Sequence, residues 1–155
     1  MDNAAGPYRF DVGVIALAHT DAPVRDAALD DIRAGITGEI DAVVPYPVVL
    51  GAHSVLTTYC GRSNAEASRL LGNFSNAGRI RWRGEVSREL VRGGLKLART
   101  VGVDGWDGYY AAVARAEGVS TVVTIDDDFE RFDAFDTEVV LSSEQLRELN
   151  RYLER

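Results

Sequence analysis

The sequence predicts an α/β domain in which a parallel sheet is covered by helices on both faces. Short β-branched runs, such as Thr121-Val122-Val123-Thr124-Ile125, alternate with longer segments of helical spacing, as a parallel sheet with crossover helices requires. Carboxylates also stand where apolar elements end or begin: Asp11 after Tyr8-Arg9-Phe10, Asp107 before Gly108-Tyr109-Tyr110, and Asp126 after Ile125. In such sheets sites gather beyond the C-terminal ends of strands, where Asp11 and Asp126 both fall. With 155 residues, 46% of them hydrophobic, the chain can bury one ordinary core, so a single domain over 1–155 is expected.

Residues 8–11 read as a short strand and 14–19 as a helical turn, with Gly13 easing the change of direction. Residues 22–36 place Val24, Ala27, Ala28, Leu29 and Ile32 at helical spacing, with Asp21 as N-cap, Pro23 in the first turn, and Gly35 and Gly38 as stops. Residues 42–44 form a buried strand, and Pro45 and Pro47 punctuate the entry to an apolar helix over 48–59, stopped by Gly61. Ser63-Asn64-Ala65-Glu66 is a capping-box pattern that opens a helix through Leu70, Leu71 and Phe74. Residues 79–83 alternate basic and apolar side chains as a strand. Helical spacing returns over 85–100, although Gly93-Gly94 weakens it, and over 104–117, where alanines permit close packing on a sheet. Gly118 precedes the strand at 120–125; residues 138–141 form the last strand, and Ser142-Ser143-Glu144-Gln145 caps a C-terminal helix.

The formal net charge is −7, and Lys96 is the only lysine among 17 basic residues. The average field therefore repels polyanions, so nucleic-acid binding needs a local cationic patch. A surface rich in Asp and nearly devoid of Lys also resembles the halophilic style, in which salt screens self-repulsion. Cys60 is the sole cysteine, which excludes an intrachain disulfide. With no secretory apolar stretch and no run long enough to span a bilayer, a cytoplasmic setting without a membrane partner is expected.

The acids point to chemistry. Carboxylates at the edge of a core need pairing or a cation, and Mg²⁺ favours a few carboxylates with water and phosphate oxygens. Asp126, Asp127 and Asp128 repel one another unless a divalent ion offsets the repulsion. Strand alternation lets Asp126 and Asp128 face one way while Asp127 faces solvent. Taken alone, that triplet reads as a solvated turn. Asp107 likewise reads as an N3 residue behind an Asp104 N-cap, where a helix dipole stabilises an anion. Together the acids point to a metal-assisted phosphodiesterase.

Nearly the whole chain resembles a PIN domain, and most closely the VapC-type ribonucleases of toxin-antitoxin pairs. The resemblance rests on Phe10-Asp11-Val12-Gly13-Val14-Ile15, on Asp107-Gly108-Tyr109-Tyr110-Ala111-Ala112-Val113-Ala114, and most specifically on Thr124-Ile125-Asp126-Asp127-Asp128-Phe129. It implies a three-layer fold with a central parallel sheet of about five short strands covered by helices. It also implies a metal-dependent endoribonuclease in which Asp11, Asp107 and Asp126 hold Mg²⁺ or Mn²⁺ and Asp128 supports them. Thr124 would contact substrate, and the products would be a 5′-phosphate and a 3′-hydroxyl. The partners implied are RNA, an antitoxin protein and a second copy of the chain, the last through the apolar helix faces around 48–56 and 70–74.

The family usually brings a fourth acid, a glutamate, on the helix after the second strand; here that slot holds Gly51. Glycine in mid-helix costs about 1 kcal/mol against alanine, so its presence needs a reason. A natural loss of activity, a substitute ligand and a deliberate change all remain open, and reduced activity is expected. His53 is a poor substitute, since two residues turn the helix by about 200°.

For substrate, Arg79, Arg81 and Arg83 alternate with Ile80 and Trp82, so one strand face can offer guanidinium groups to phosphates, extended by Arg88 and Arg92. The same charges serve equally well to guard an exposed edge strand. Tyr109, Tyr110 and Trp106 are candidate stacking residues. A haloacid-dehalogenase-type phosphatase would need a second aspartate where Gly13 stands, and a receiver domain would need a strand-end lysine. The serious alternative is a non-catalytic PIN-fold module that binds RNA or protein.

Overall fold

The computed structural model describes residues 5–154, apart from the side chains of Ala5 and Asp128. Five strands form one sheet: β1 (Ala5–Phe10), β2 (Ile40–Pro45), β3 (Arg81–Arg83), β4 (Thr121–Thr124) and β5 (Asp136–Val139). They lie in the order β3-β2-β1-β4-β5, and every neighbouring pair is parallel. Parallel pairing needs crossovers. Helices α1 (Val12–Ala18) and α2 (Arg25–Thr37) return the chain from β1 to β2, and α3 (Tyr46–Thr58) and α4 (Asn64–Phe74) from β2 to β3. Helices α5 (Arg88–Val101) and α6 (Gly105–Ala116) lead to β4, a short 3-10 turn (Asp128–Arg131) leads to β5, and α7 (Ser143–Leu153) closes the described chain. The architecture is the helix-covered parallel sheet expected from the alternation of elements. Phe10, Ala42, Val43, Val44, Val122 and Val123 of the inner strands are all buried, as a sheet covered on both faces requires.

Local signals explain most helix ends. The Ser63 side chain accepts from Glu66 N–H, and Asp104 Oδ1 accepts from Asp107 N–H at 2.8 Å. At α7 both bonds of a capping box form, Gln145 N–H to Ser142 Oγ at 3.1 Å and Ser142 N–H to Gln145 Oε1 at 2.9 Å. Helix α2 starts later than its apolar spacing suggests. Arg25 N–H closes a turn on Ala22 O at 3.1 Å, and Asp21 pairs with Arg25 and Arg62 instead of capping. Gly35, expected as a stop, lies inside α2, and its place there is explained by packing, since a Cβ would come within 2.7 Å of the Phe10 ring. The helix ends at Gly38, whose φ of +81° suits a residue without a Cβ.

Gly94, which argues against a helix on propensity, is explained by packing. A Cβ on Gly94 would lie 2.6 Å from Tyr109 Cα, and one on Gly108 would lie 2.2 Å from the Gly94 carbonyl oxygen. Helices α5 and α6 therefore meet backbone to backbone, and tertiary contact overrides intrinsic preference.

The apolar faces expected to join two copies are largely internal. Val48, Ala52, Leu56, Leu71 and Phe74 are buried in the chain's own core, leaving Tyr46, Leu50 and Tyr59 exposed on or just after α3. Apolar periodicity alone does not distinguish a core face from an interface. Among the described residues, no helix is long and apolar enough to cross a membrane.

One carboxyl works against the fold. Burial, reinforced by Glu138 and Asp30, pushes the Asp31 pKa up from 3.8 to about 6. The folded state therefore binds a proton more readily than the unfolded one, so stability is highest below the unfolded pKa and falls as pH rises from about 4 to about 6. Asp31→Asn is expected to flatten that fall and to raise the thermal midpoint at pH 7. An unchanged pH profile in thermal melts would refute this.

Candidate active site

The site forms where β1 and β4, adjacent at the middle of the sheet, run out. Phe10 is the last residue of β1, and Asp11 follows as the N-cap of α1, its N–H held by Val123 O at 2.9 Å. Its side chain does not cap the helix. Instead Asp11 Oδ2 accepts from Thr124 Oγ1 at 3.2 Å, and Oδ1 lies 3.6 Å from the Arg9 guanidinium. Asp126 follows β4, its N–H at the long distance of 3.5 Å from Thr124 Oγ1. Asp107 occupies the third position of α6, its backbone tied to Asp104, so that the helix start points the carboxylate into the same space.

These three acids, from three different elements, line one open cleft of about 490 Å³ together with Val12, Pro47, Gly51, Trp106 and Tyr110. All three are partly exposed. The side chain of Asp128, the fourth predicted acid, lies outside the described residues. Oxygen donors of this kind suit a hard divalent ion. Among the described residues, however, no three His, Cys, Asp or Glu side chains form a group that could hold one. The acids thus supply suitable donor chemistry around a shared cleft.

Beneath the cleft lies a residue that sequence reasoning missed. Arg9 is 0% exposed, and its guanidinium sits 4.9 Å from the Phe129 ring centroid and 5.2 Å from that of Tyr110. One nitrogen donates to Phe10 O at 3.3 Å, whereas among the described residues Nε and a second terminal nitrogen have no hydrogen-bond acceptor. Burial pulls its pKa down, while Asp11, Tyr110 and Asp107 pull it back up, and a guanidinium stays charged through such shifts. The same burial pushes the Tyr110 phenol well above its usual range, so it remains neutral. The signal was present in the sequence: Arg9 and Asp11 are two apart at the end of a strand, which places both side chains on one face.

No protein-family model matches the chain, and no curated protein does. Solved structures do. The Mycobacterium tuberculosis toxin VapC20, described as cleaving the sarcin-ricin loop, aligns with a TM-score of 0.64 at 16% identity, covering 79% of this chain and 92% of its own. FitAcB from Neisseria gonorrhoeae aligns with a TM-score of 0.57 at 18% identity, covering 86% of this chain and 97% of its own. The chain has the PIN fold.

On this PIN fold Gly51 faces the acidic cleft from α3, at the height of Val12. A Cβ at position 51 would lie 3.0 Å from Val12 Cγ2, so Val12 fills much of the space a longer side chain would enter through. His53 turns away and meets Ser68 Oγ at 3.1 Å. The strand expected over 79–83 is only Arg81–Arg83, and Arg79, Arg81 and Arg83 are all engaged within the fold. Arg81 makes a two-pronged contact with Asp41 at 2.9 and 3.2 Å, Arg83 pairs with Glu117, and Arg79 donates to Thr37 O at 2.8 Å. β3 is the edge strand next to β2, and its arginines are partnered by acids of the same chain. Thr124 is buried and supports Asp11. Tyr109 and Tyr110 are core residues, while Trp106 is 62% exposed at the cleft rim.

Proposed function

We propose that this protein is a metal-dependent endoribonuclease of the VapC type, with activity reduced by the glycine at position 51. The observation that carries this reading is the convergence of Asp11, Asp107 and Asp126 on one cleft, each from a different element. Unrelated solvated acids would have no reason to meet there. Asp11, Asp107 and Asp126 would hold Mg²⁺ or Mn²⁺, with Asp128 beside them, and such an ion lowers the pKa of bound water and stabilises charge on phosphoryl oxygens. Thr124 orients Asp11 by its hydroxyl, and Arg9 fixes the same carboxylate from below. The N-terminus of α6, which carries Asp107, adds a favourable field for a phosphate. The missing acid lowers the charge available to hold a cation, which accounts for the reduced activity. An antitoxin and a second copy of the chain are partners this reading brings with it.

The second reading, a PIN-fold module without catalysis, draws on Gly51 and on the absence of a three-ligand cluster among the described residues. The two separate in one experiment, an RNA pool incubated with the folded protein in Mn²⁺ and high KCl. The nuclease reading expects slow cleavage that a chelator stops and that Asp126→Asn lowers roughly tenfold, about 1.4 kcal/mol in barrier. Intact RNA together with no specific Mn²⁺ binding would establish the module instead.

A further inference from the structure

We propose that the outer face of α5 is a docking track for single-stranded RNA that leads to Trp106 on the rim of the acidic cleft. The track rests on the ribonuclease reading only for what happens at its end; binding along it is separately measurable.

Arg88, Arg92, Lys96 and Arg99 are all exposed on α5. At 100° per residue they fall within an arc of about 80°, and successive members of the Arg88, Arg92, Lys96 series are about 6 Å apart along the axis. Arg92, Lys96 and Arg99 border one groove, and Lys96 with Arg115 of α6 borders the next. None of these five cations is in an ion pair among the described residues, whereas Arg25, Arg62, Arg81 and Arg83 all are. Glu89 is the only acid on the helix. An unneutralised row of like charges destabilises a helix by itself, and it stands out in a chain of net charge −7. An anionic partner that lies along the row removes the penalty.

The row passes beside the cleft rim. Leu95, on the same face, reaches α6 at its first residue: a Cβ on Gly105 would lie 3.8 Å from Leu95 Cδ2. The next residue is Trp106, stacked on Tyr110 at 5.7 Å between ring centroids and lining the cleft with the three aspartates. Its exposed face is a stacking platform for an unpaired base. Cations spaced along a helix, an aromatic platform beside them and a carboxylate cleft behind that platform suit a single strand, whose phosphates and bases need both kinds of contact. An acidic protein segment would satisfy the cations but has no use for the platform.

The test is anisotropy of a labelled single-stranded oligoribonucleotide in EDTA, over a series of KCl concentrations, with cleavage in Mn²⁺ measured in parallel. Four phosphate contacts predict a slope of log K against log[KCl] of about −3, at about −0.7 per contact for a single strand. Arg92→Gln/Lys96→Gln/Arg99→Gln should reduce it to about −1. The triple lysine-arginine exchange, Arg92→Lys/Lys96→Arg/Arg99→Lys, should preserve it. Trp106→Ala should weaken binding roughly tenfold at an unchanged slope. An unaltered slope and affinity in the triple glutamine variant overturns the track even if cleavage persists. Binding with the expected slope but no cleavage supports the track while removing the nuclease reading. Capture of a polyglutamate peptide with no RNA binding assigns the face to an acidic protein and overturns the proposal.

Discussion

Arg9→Ala is expected to lower the unfolding free energy by about 3 kcal/mol in urea titrations without divalent ions, as breaking one side of a buried charge pair does. The guanidinium is wholly buried between Tyr110 and Phe129, so alanine leaves a cavity under both rings as well as an Asp11 carboxylate without its nearest cation. Arg9→Met separates these contributions, because methionine fills most of the space without the charge. Removing a fixed positive charge from beneath the acids should also tighten binding of a divalent cation. Mn²⁺ should therefore raise the unfolding midpoint more in Arg9→Met than in the native chain, following the mass-action gain of any ligand that binds only the folded state. A methionine variant as stable as the native chain, with the same response to Mn²⁺, would reduce Arg9 to a packing residue.

Placing an acid at position 51 is expected to raise Mn²⁺-dependent RNA cleavage about a hundredfold, or about 2.7 kcal/mol in barrier, provided Val12 is cut back at the same time. Gly51→Glu alone should gain less. The new Cβ would stand 3.0 Å from Val12 Cγ2, so the side chain would be forced aside or the start of α1 displaced. Val12→Ala opens that space. Replacing a mid-helix glycine also stabilises α3 by about 1 kcal/mol whatever the new side chain carries, so Gly51→Gln/Val12→Ala is the control. Equal cleavage and equal Mn²⁺ affinity in the Glu and Gln doubles would show that charge at this position is not what limits the site.

The fold was legible because its signals are local. Alternating β-branched runs and helical spacings define the parallel sheet, and Ser63, Asp104 and Ser142 act as helix caps within four residues of the groups they serve. The meeting of Asp11, Asp107 and Asp126 at one cleft was legible for a related reason, since strand ends and a capped helix start fix where a side chain emerges. What escaped depends on partners far along the chain. Gly35 reads as a helix stop until the Phe10 ring is beside it, and Gly94 reads as a weak point until Tyr109 arrives. Arg81 and Arg83 read as available cations because Asp41 and Glu117, which neutralise them, are distant in sequence. Arg9 hides among apolar neighbours, where a charged residue on a strand is easily taken for one facing water. The exposed row on α5 was only half seen, as Arg88 and Arg92, because Lys96 and Arg99 come into line with them only when residues three and four apart are followed along the whole helix.

The bare-backbone crossing of Gly94 and Gly108 sets the start of α6, and with it Asp107, against the main chain of α5. Any side chain introduced at either glycine would have to push the two helices apart, so a residue far from the acids in sequence, Gly94, governs where one of them stands.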